Sequence, residues 1–245
     1  MFFVSAVVIG CAFYFGIFVY PHHVVSEETR KRSKSFISNV FFREFWYFIM
    51  GPLGRRLIAW KVTPNQITWL GFVFAVASAY FFAIGSWGPG GWLVILASTC
   101  DIYDGWLARA HGISLKSGSF LDSVLDRISE SASFCGLLWY FKADPLWYAM
   151  LFLAFSSSQI VSYARARAEG LGFHGSKGFF QRSERMIVLS IGMCLTPIFE
   201  FVWPGTGVNV VHVTLIILAL GSMQTALTRS YGIYREIRET EIARP

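Results

Sequence analysis

Charge is scarce in this 245-residue chain. Asp, Glu, Lys and Arg make up only 15% of it, where soluble domains run near a quarter. That scarcity excludes a disordered chain, which needs a polar, charge-rich composition. Cysteine is scarce too: Cys11, Cys100, Cys135 and Cys194 each sit alone in an apolar run. With no CxxC pair and no regular spacing they exclude a disulfide scaffold and read as small hydrophobes in helices. Internal repeats and low-complexity tracts are lacking. What the chain has instead is apolar surface. Hydrophobic residues reach 54%, and 24 Phe, 10 Tyr and 9 Trp supply the aromatic share. A soluble fold of this size has too little interior for that load and too few charges for its outside. The composition predicts an integral membrane protein. Its net charge of +6 then belongs to faces that meet anionic lipid or an anionic substrate, not to nucleic acid.

A membrane span takes about 20 apolar residues. Seven stretches qualify: 2–20, 67–86, 91–110, 118–141, 145–166, 184–204 and 208–230. The linkers between them differ in charge. Residues 21–66 hold eight Lys or Arg, among them Arg30, Lys31, Arg32, Lys34, Arg55 and Arg56. The turn 111–117 holds Lys116, 167–183 holds Arg167, Lys177 and Arg182, and the tail adds Arg235, Arg238 and Arg244. The alternate linkers, 86–91, 141–145 and 201–209, carry Lys142 as their one basic residue. This asymmetry places the basic linkers and the C-terminus in the cytoplasm, with six spans after residue 66. Residues 2–20 lack the basic leader and small-residue cleavage site of a secretory signal, so they read as an extra helix. Residues 37–60, aromatic, basic and interrupted at Gly51-Pro52, read as helices lying along the cytoplasmic interface. The predicted fold is an all-α integral membrane protein. It has a six-helix transmembrane bundle, a cytoplasmic interfacial helix and an extra N-terminal apolar helix. Residues 1–36 form the apolar helix and basic linker, 37–235 the membrane domain and 236–245 a cytoplasmic tail.

Ionisable residues inside spans are expensive and usually functional. Here they cluster. Asp101, Asp104 and Ala108 fall at i, i+3 and i+7 and share one helix face, as do Asp122 and Asp126 at i and i+4. The short turn 111–117 makes the two helices antiparallel neighbours, so four carboxylates can converge at the inner surface. Bare, they would repel. Hard divalent cations with oxygen ligands remove the repulsion, and a pair of them forms the usual clamp for displacement at phosphorus. Gly105 leaves room for a ligand beside Asp104, and Arg109 can pair with a phosphate. A set of Asp–Arg pairs tying helices together is the plainer alternative. It does not explain four Asp with this spacing.

Asp101-x2-Asp104-Gly105-x2-Ala108-Arg109-x8-Gly118-x3-Asp122-x3-Asp126 resembles, position for position, the signature of the CDP-alcohol phosphatidyltransferases. The resemblance covers roughly residues 40–233 and leaves out 1–35. It implies a six-helix membrane fold, a homodimer, and a reaction of CDP-diacylglycerol with an alcohol that depends on Mg²⁺ or Mn²⁺, two per active site, and releases CMP. By the resemblance, Asp101, Asp104 and Asp122 are metal ligands, and Asp126 is both a ligand and the base. Asn65, Gln66, Ile67, Thr68, Gly105, Ala108 and Arg109 hold CDP-diacylglycerol. The chain departs from the family in having Leu115, with Ser114 beside it, where a Ser or Thr is common.

A second, basic set bears on the alcohol. Arg165, Arg185 and Arg229 come from three helices at the inner face. By position they fit an acceptor phosphate, which Arg forks grip well, and equally the anchoring of helix ends by basic residues. The segments Ser158–Tyr163, Arg165–Glu169 and Arg182–Arg185, with Asp126–Ser129 and Phe134–Trp139, resemble the phosphatidylinositol phosphate synthase branch of the family. That branch uses inositol 1-phosphate and binds its phosphate at positions matching Arg165, Arg185 and Arg229. The chain has Arg165 where the branch commonly has Lys, and Ser183 where it has Pro. The expected function is transfer of a phosphatidyl group to inositol 1-phosphate at the cytoplasmic side of the cell (inner) membrane. Glycerol 3-phosphate or an unphosphorylated alcohol, inositol or serine, is the alternative acceptor. An ion-coupled transporter is the alternative of another class, although the inverted repeats and broken midplane helices common in transporters are missing.

Overall fold

A computed structural model describes residues 14–20, 40–112, 115–173 and 178–242, and the described residues form helices joined by short turns. After a π-helical turn at Phe15–Val19, the helices are α1 (Val40–Ala59), α2 (Pro64–Ala83), α3 (Trp87–Ala110), α4 (Lys116–Tyr140), α5 (Pro145–Gly170), α6 (Arg182–Val202) and α7 (Gly207–Ile242). A 3-10 turn, Phe141–Ala143, joins α4 to α5. Cys11, most of the apolar stretch 2–20, the basic linker 21–36, Ser114, Lys177 and Arg244 lie outside the described residues.

Helix starts follow local chemistry. Thr63 and Gln66 cap α2 reciprocally: the Thr63 amide donates to Gln66 Oε1 at 2.9 Å, and the Gln66 amide to Thr63 Oγ1 at 3.4 Å. Pro64 takes the first helical position, where its missing N–H costs nothing. Asp144 accepts from the Leu146 and Trp147 amides, with Pro145 again first. Gln181 and Glu184 form a second capping box at α6.

One expectation changes. Residues 37–60 were expected to break at Gly51-Pro52, yet α1 runs through both as one helix. Tyr103 Oη donates to the Met50 carbonyl at 2.8 Å. The Trp106 ring occupies the space over Gly54, where a Cβ would lie 1.9 Å from it. These aromatics brace α1 on both sides of Pro52, the neighbour support that lets proline sit inside a membrane-protein helix. The last span was expected over about 208–230, with a cytoplasmic tail at 236–245; α7 runs on past that span to Ile242, 36 residues in all, or about 54 Å at the α-helical rise. Charged helix formers sustain the extension, with Arg235 and Glu239 paired one turn apart at 2.6 Å.

Among the described residues three helices, α2, α6 and α7, are long and apolar enough to cross a membrane. Of the rest, α3 carries Asp101, Asp104 and Arg109, α4 carries Asp122, Asp126 and Glu130, and α5 carries Arg165 and Glu169. Outward faces are apolar. Trp69, Val73, Val76 and Tyr80 make one exposed stripe along α2, and Val213, Ile217, Leu220, Leu227 and Tyr231 another along α7. Large exposed apolar faces of that extent suit lipid rather than water.

The chain divides into two compact units, one of residues 1–70 with Thr99–Asp122, the other of Gly71–Ser98 with Ser123 onward. In the first, Phe15 is fully buried among Tyr20, Phe41, Phe45 and Phe48, with ring centroids 5.2–5.9 Å away. In the second, α5 and α6 both pack on α7. Small residues set the close approaches. A Cβ on Gly136 would lie 2.2 Å from the Ala79 carbonyl oxygen, and one on Gly192 2.1 Å from Thr214 Oγ1. Beside the first contact Ser78 and Ser133 share a hydrogen bond of 3.0 Å. Close backbone approach at small residues, with hydrogen bonds across, is how helices associate in lipid.

Gly136→Ala is therefore expected to destabilise the protein by about 1–3 kcal/mol through overpacking. Gly170→Ala, at a position with nothing within 4 Å, is expected to stay within about 0.5 kcal/mol of the parent. Denaturation in detergent, followed by helical circular dichroism, checks the pair. Equal stability of the two variants would refute the α2–α4 contact.

Candidate active site

Within the first unit, α3 carries Asp101, Asp104, Gly105, Ala108 and Arg109. Asp104 is buried and accepts a hydrogen bond from Thr68 Oγ1 at 2.8 Å. The same hydroxyl lies 3.1 Å from the Pro64 carbonyl, one turn back on α2. The charges of Asp101 and Asp122 bear directly on Asp104. Asp101 and Asp122 each bring a carboxylate oxygen within 4.8 Å of the other, and so do Asp122 and Asp126, one turn apart on α4. Carboxylate oxygens gathered this closely are hard donors, and they fit Mg²⁺ or Mn²⁺ rather than a soft metal.

The residues expected to hold the nucleotide divide by placement. Thr68 touches Asp104, as above. The Gln66 side chain is engaged in the α2 cap, and Ile67 is buried in the core. Asn65 Oδ1 lies 3.6 Å from where a Cβ on Gly118 would be, so the first turn of α4 passes close to it. A Cβ on Gly105 would meet Arg109 Nη1 at 3.3 Å, so the notch at Gly105 opens toward that guanidinium. Ala108 is half-buried, and Arg109 is exposed.

Within the second unit, α4 presents Asp126 and Glu130 on one face, at i and i+4. Against it α6 presents Arg182 and Arg185, at i and i+3. They meet as two rungs. Arg182 Nη1 pairs with Asp126 Oδ2. Arg185 pairs bidentately with Glu130, Nε to Oε1 at 2.8 Å and Nη2 to Oε2 at 3.1 Å. Ser158 Oγ on α5 donates to Glu130 Oε1 at 2.6 Å, and Arg185 Nη1 donates to the Phe180 carbonyl at 3.3 Å. Both side chains of this second rung have 0% exposure. Removing one partner of such a buried pair costs about 3–5 kcal/mol, because the other charge is stranded.

The three arginines expected to take an acceptor phosphate differ in state. Arg165 is 59% exposed and paired with Glu169 at 2.8 Å. Arg185 is held by Glu130. Arg229 is buried and donates from Nη1 to the Val161 carbonyl at 3.1 Å. The charges of Arg165 and Arg185 both bear on Arg229. Sequence reasoning passed over two members of this group. Glu130 continues the i, i+4 series of Asp122 and Asp126 by one more turn, which is the signal that could have found it. Arg182 stood among the inner-face charges, three residues before Arg185.

The family model for CDP-alcohol phosphatidyltransferases matches residues 61–225, and the chain belongs to that family. It is a phosphatidyltransferase and, with its membrane-capable helices, an integral membrane protein. Among its relatives, the phosphatidylinositol phosphate synthase of Mycobacterium bovis is 35% identical over 192 residues, 76% of this chain and 86% of the relative. That of Cutibacterium acnes is 34% identical over 199 residues, 79% of this chain and 96% of the relative. Two solved structures of Mycobacterium tuberculosis phosphatidylinositol phosphate synthase align at 34% identity. One, with CDP-DAG bound, gives a TM-score of 0.68 and covers 76% of this chain and 94% of that one. The other, in complex with manganese and citrate, gives 0.67 and covers 75% and 88%.

Thr68→Val keeps the volume of the side chain and removes the hydroxyl that orients Asp104. If Asp104 holds metal, a change of this kind behind it weakens metal affinity or activity by about 10–100-fold. The expected outcome is a rightward shift of that size in the Mg²⁺ titration of activity, with Thr68→Ser close to the parent. An unshifted titration would remove Thr68 from the site.

Proposed function

We propose that this enzyme joins CDP-diacylglycerol to inositol 1-phosphate, giving phosphatidylinositol phosphate and CMP. The observation that carries the choice of acceptor is the likeness to phosphatidylinositol phosphate synthases over three-quarters of the chain. Arg165, Arg185 and Arg229 are the matching basic set in α5, α6 and α7. In this reading Asp101, Asp104, Asp122 and Asp126 hold two Mg²⁺ or Mn²⁺ ions, which supply charge neutralisation on the diphosphate when bound. Asn65, Gln66, Ile67, Thr68, Gly105, Ala108 and Arg109 line the CDP-diacylglycerol site. For Gln66 and Ile67 that role runs through the α2 start they build.

The chemistry assigned to the chain is spare. Asp126 accepts the proton of the acceptor hydroxyl. The hydroxyl oxygen forms a bond to the phosphorus on the diacylglycerol side, and the bond from that phosphorus to the bridging oxygen breaks, releasing CMP. The arginines bind and orient the phosphate that the acceptor already carries, which places its hydroxyl for attack. The diacyl chains stay in the bilayer beside the apolar helix faces.

The membrane arrangement belongs to the same reading. Helices α2–α7 form a six-helix bundle in the cell membrane, α1 lies along the cytoplasmic interface, and residues 2–20 add an N-terminal apolar helix. Residues 37–235 make the membrane domain between the segments 1–36 and 236–245. The active site opens to the cytoplasm, and the enzyme works as a homodimer. The charge asymmetry of the linkers supports the orientation.

CMP release by the purified protein, with CDP-diacylglycerol and Mg²⁺ or Mn²⁺, tests the acceptor. Inositol 1-phosphate, inositol, glycerol 3-phosphate and serine are compared in parallel. Release with inositol 1-phosphate alone is expected, and release with another acceptor alone would replace it. Asp126→Asn is expected to remain folded and lose about 10²–10⁴-fold in turnover, the usual contribution of a general base. Near-parental turnover would take the role of base away from Asp126.

A further inference from the structure

The buried carboxylate of Glu130 has no place in the chemistry above, yet it is held by three hydrogen bonds. It accepts from Nε and Nη2 of Arg185 and from Ser158 Oγ. Like its partner Arg185, it has 0% exposure. What it does is fix a guanidinium. An arginine has five N–H donors in a planar fork. Glu130 takes two of Arg185's and the Phe180 carbonyl a third. The plane of the fork is thereby set, and one N–H on each terminal nitrogen is not taken up by these contacts.

The same contacts reach Arg229. The Phe180 amide donates to Thr225 Oγ1 at 3.1 Å, one turn before Arg229 on α7. Gly178 packs so closely that a Cβ there would lie 2.9 Å from Arg229 Nη2. Val161, whose carbonyl accepts from Arg229, is one turn beyond Ser158 on α5. Arg185 and Arg229 thus share the Gly178–Phe180 segment and one face of α5; the charges of Glu169 and Glu184 bear on Arg229, and Glu130 is the anion bonded to Arg185. Without its charge, two cations with little solvent around them would repel and move apart.

We propose that Glu130 is a positioning residue for the acceptor's phosphate, acting through Arg185 and supported by Ser158. The proposal rests on the reading of Arg165, Arg185 and Arg229 as the phosphate-binding set. It adds an anionic residue to a site whose other assigned members are cations, and it separates the residue that orients from the residues that touch.

Steady-state kinetics of the full-length enzyme in detergent test it, with inositol 1-phosphate and CDP-diacylglycerol varied separately. Glu130→Gln keeps the shape and removes the charge. Its expected effect is an increase of about tenfold or more in KM for inositol 1-phosphate, the scale of one charged hydrogen bond. The KM for CDP-diacylglycerol should change less than about twofold, and kcat little, as for lost uniform binding. Glu130→Asp should recover part of the loss. Ser158→Ala removes one neutral donor and should raise the same KM about threefold. It carries the test if Glu130→Gln does not fold. A folded Glu130→Gln, or Ser158→Ala in its place, with unchanged acceptor KM would overturn the proposal. So would parallel changes in both KM values and kcat, the mark of a merely structural pair. Arg185→Lys, which cannot keep the fork, separates the two levels. An unchanged acceptor KM there removes Arg185 from the phosphate site and the proposal with it. A raised KM there beside a silent Glu130→Gln removes the proposal alone.

Discussion

A charge buried among helices must be paired, and the Glu130–Arg185 ion pair is where this protein meets that demand. Once Glu130 turns inward on α4, the faces of two other helices and the course of one connecting segment are constrained. Arg185 must look inward from α6, Ser158 must do so from α5, and the Gly178–Phe180 segment must lie where its carbonyl can accept. Each donor sits on a different element, so no single helix can rotate without stranding the carboxylate. In a membrane there is no water to take over a lost partner. The pair therefore acts as a rotational lock. The apolar packing of Leu189, Met193, Leu215 and Leu218, all fully buried, fills the space the lock leaves.

The functional side chains follow from that rotation. Asp126 is one turn before Glu130, and Arg182 one turn before Arg185, so fixing the deep rung brings the shallow one together. The two rungs differ in surroundings. Deep inside, the partners of the pair are Ser158 and the Phe180 carbonyl, and neither charged side chain is exposed. At Asp126 and Arg182 both side chains keep about a fifth to a quarter of their surface. An ion pair with solvent at hand is weak and can exchange partners at low cost, whereas a dry one cannot. One helix–helix contact thus provides a rigid anchor and, a turn away, a carboxylate that remains available for chemistry.

Much of this was legible in the sequence, for a physical reason. Period 3.6 dictates which residues share a face, so Asp101 with Asp104, and Asp122 with Asp126, could be grouped from spacing alone. Thr63-Pro64 and Asp144-Pro145 announce their helices because capping is local chemistry. Pro52 shows where local chemistry ends. A proline breaks an isolated helix, but Tyr103 and Trp106, some fifty residues away, hold α1 through it. The helical course of α7 past its apolar span is a related case. Hydropathy falls after residue 230, yet the chain there is rich in helix formers, and loss of apolarity is not loss of helix. The burial of Ile67, in a segment read as binding nucleotide, also depends on packing that spacing does not reveal.

Glu130 was the harder residue to see, and its case is general. A motif directs attention to residues that touch ligand, and a charge just beyond it is easily counted as one more polar residue on a helix. Three things separate Glu130 from such a residue: its register with Asp122 and Asp126, its depth, and a bidentate partner. Register alone is readable in advance. Depth and partner come only from the fold, because Arg185 is 55 residues away in sequence. Replacing a buried ion pair with apolar residues of like volume is often neutral or stabilising, so stability by itself gives no reason to keep one. The reason has to lie in what the pair orients. On this fold the oriented group is a guanidinium with two donors left, next to a second guanidinium on α7.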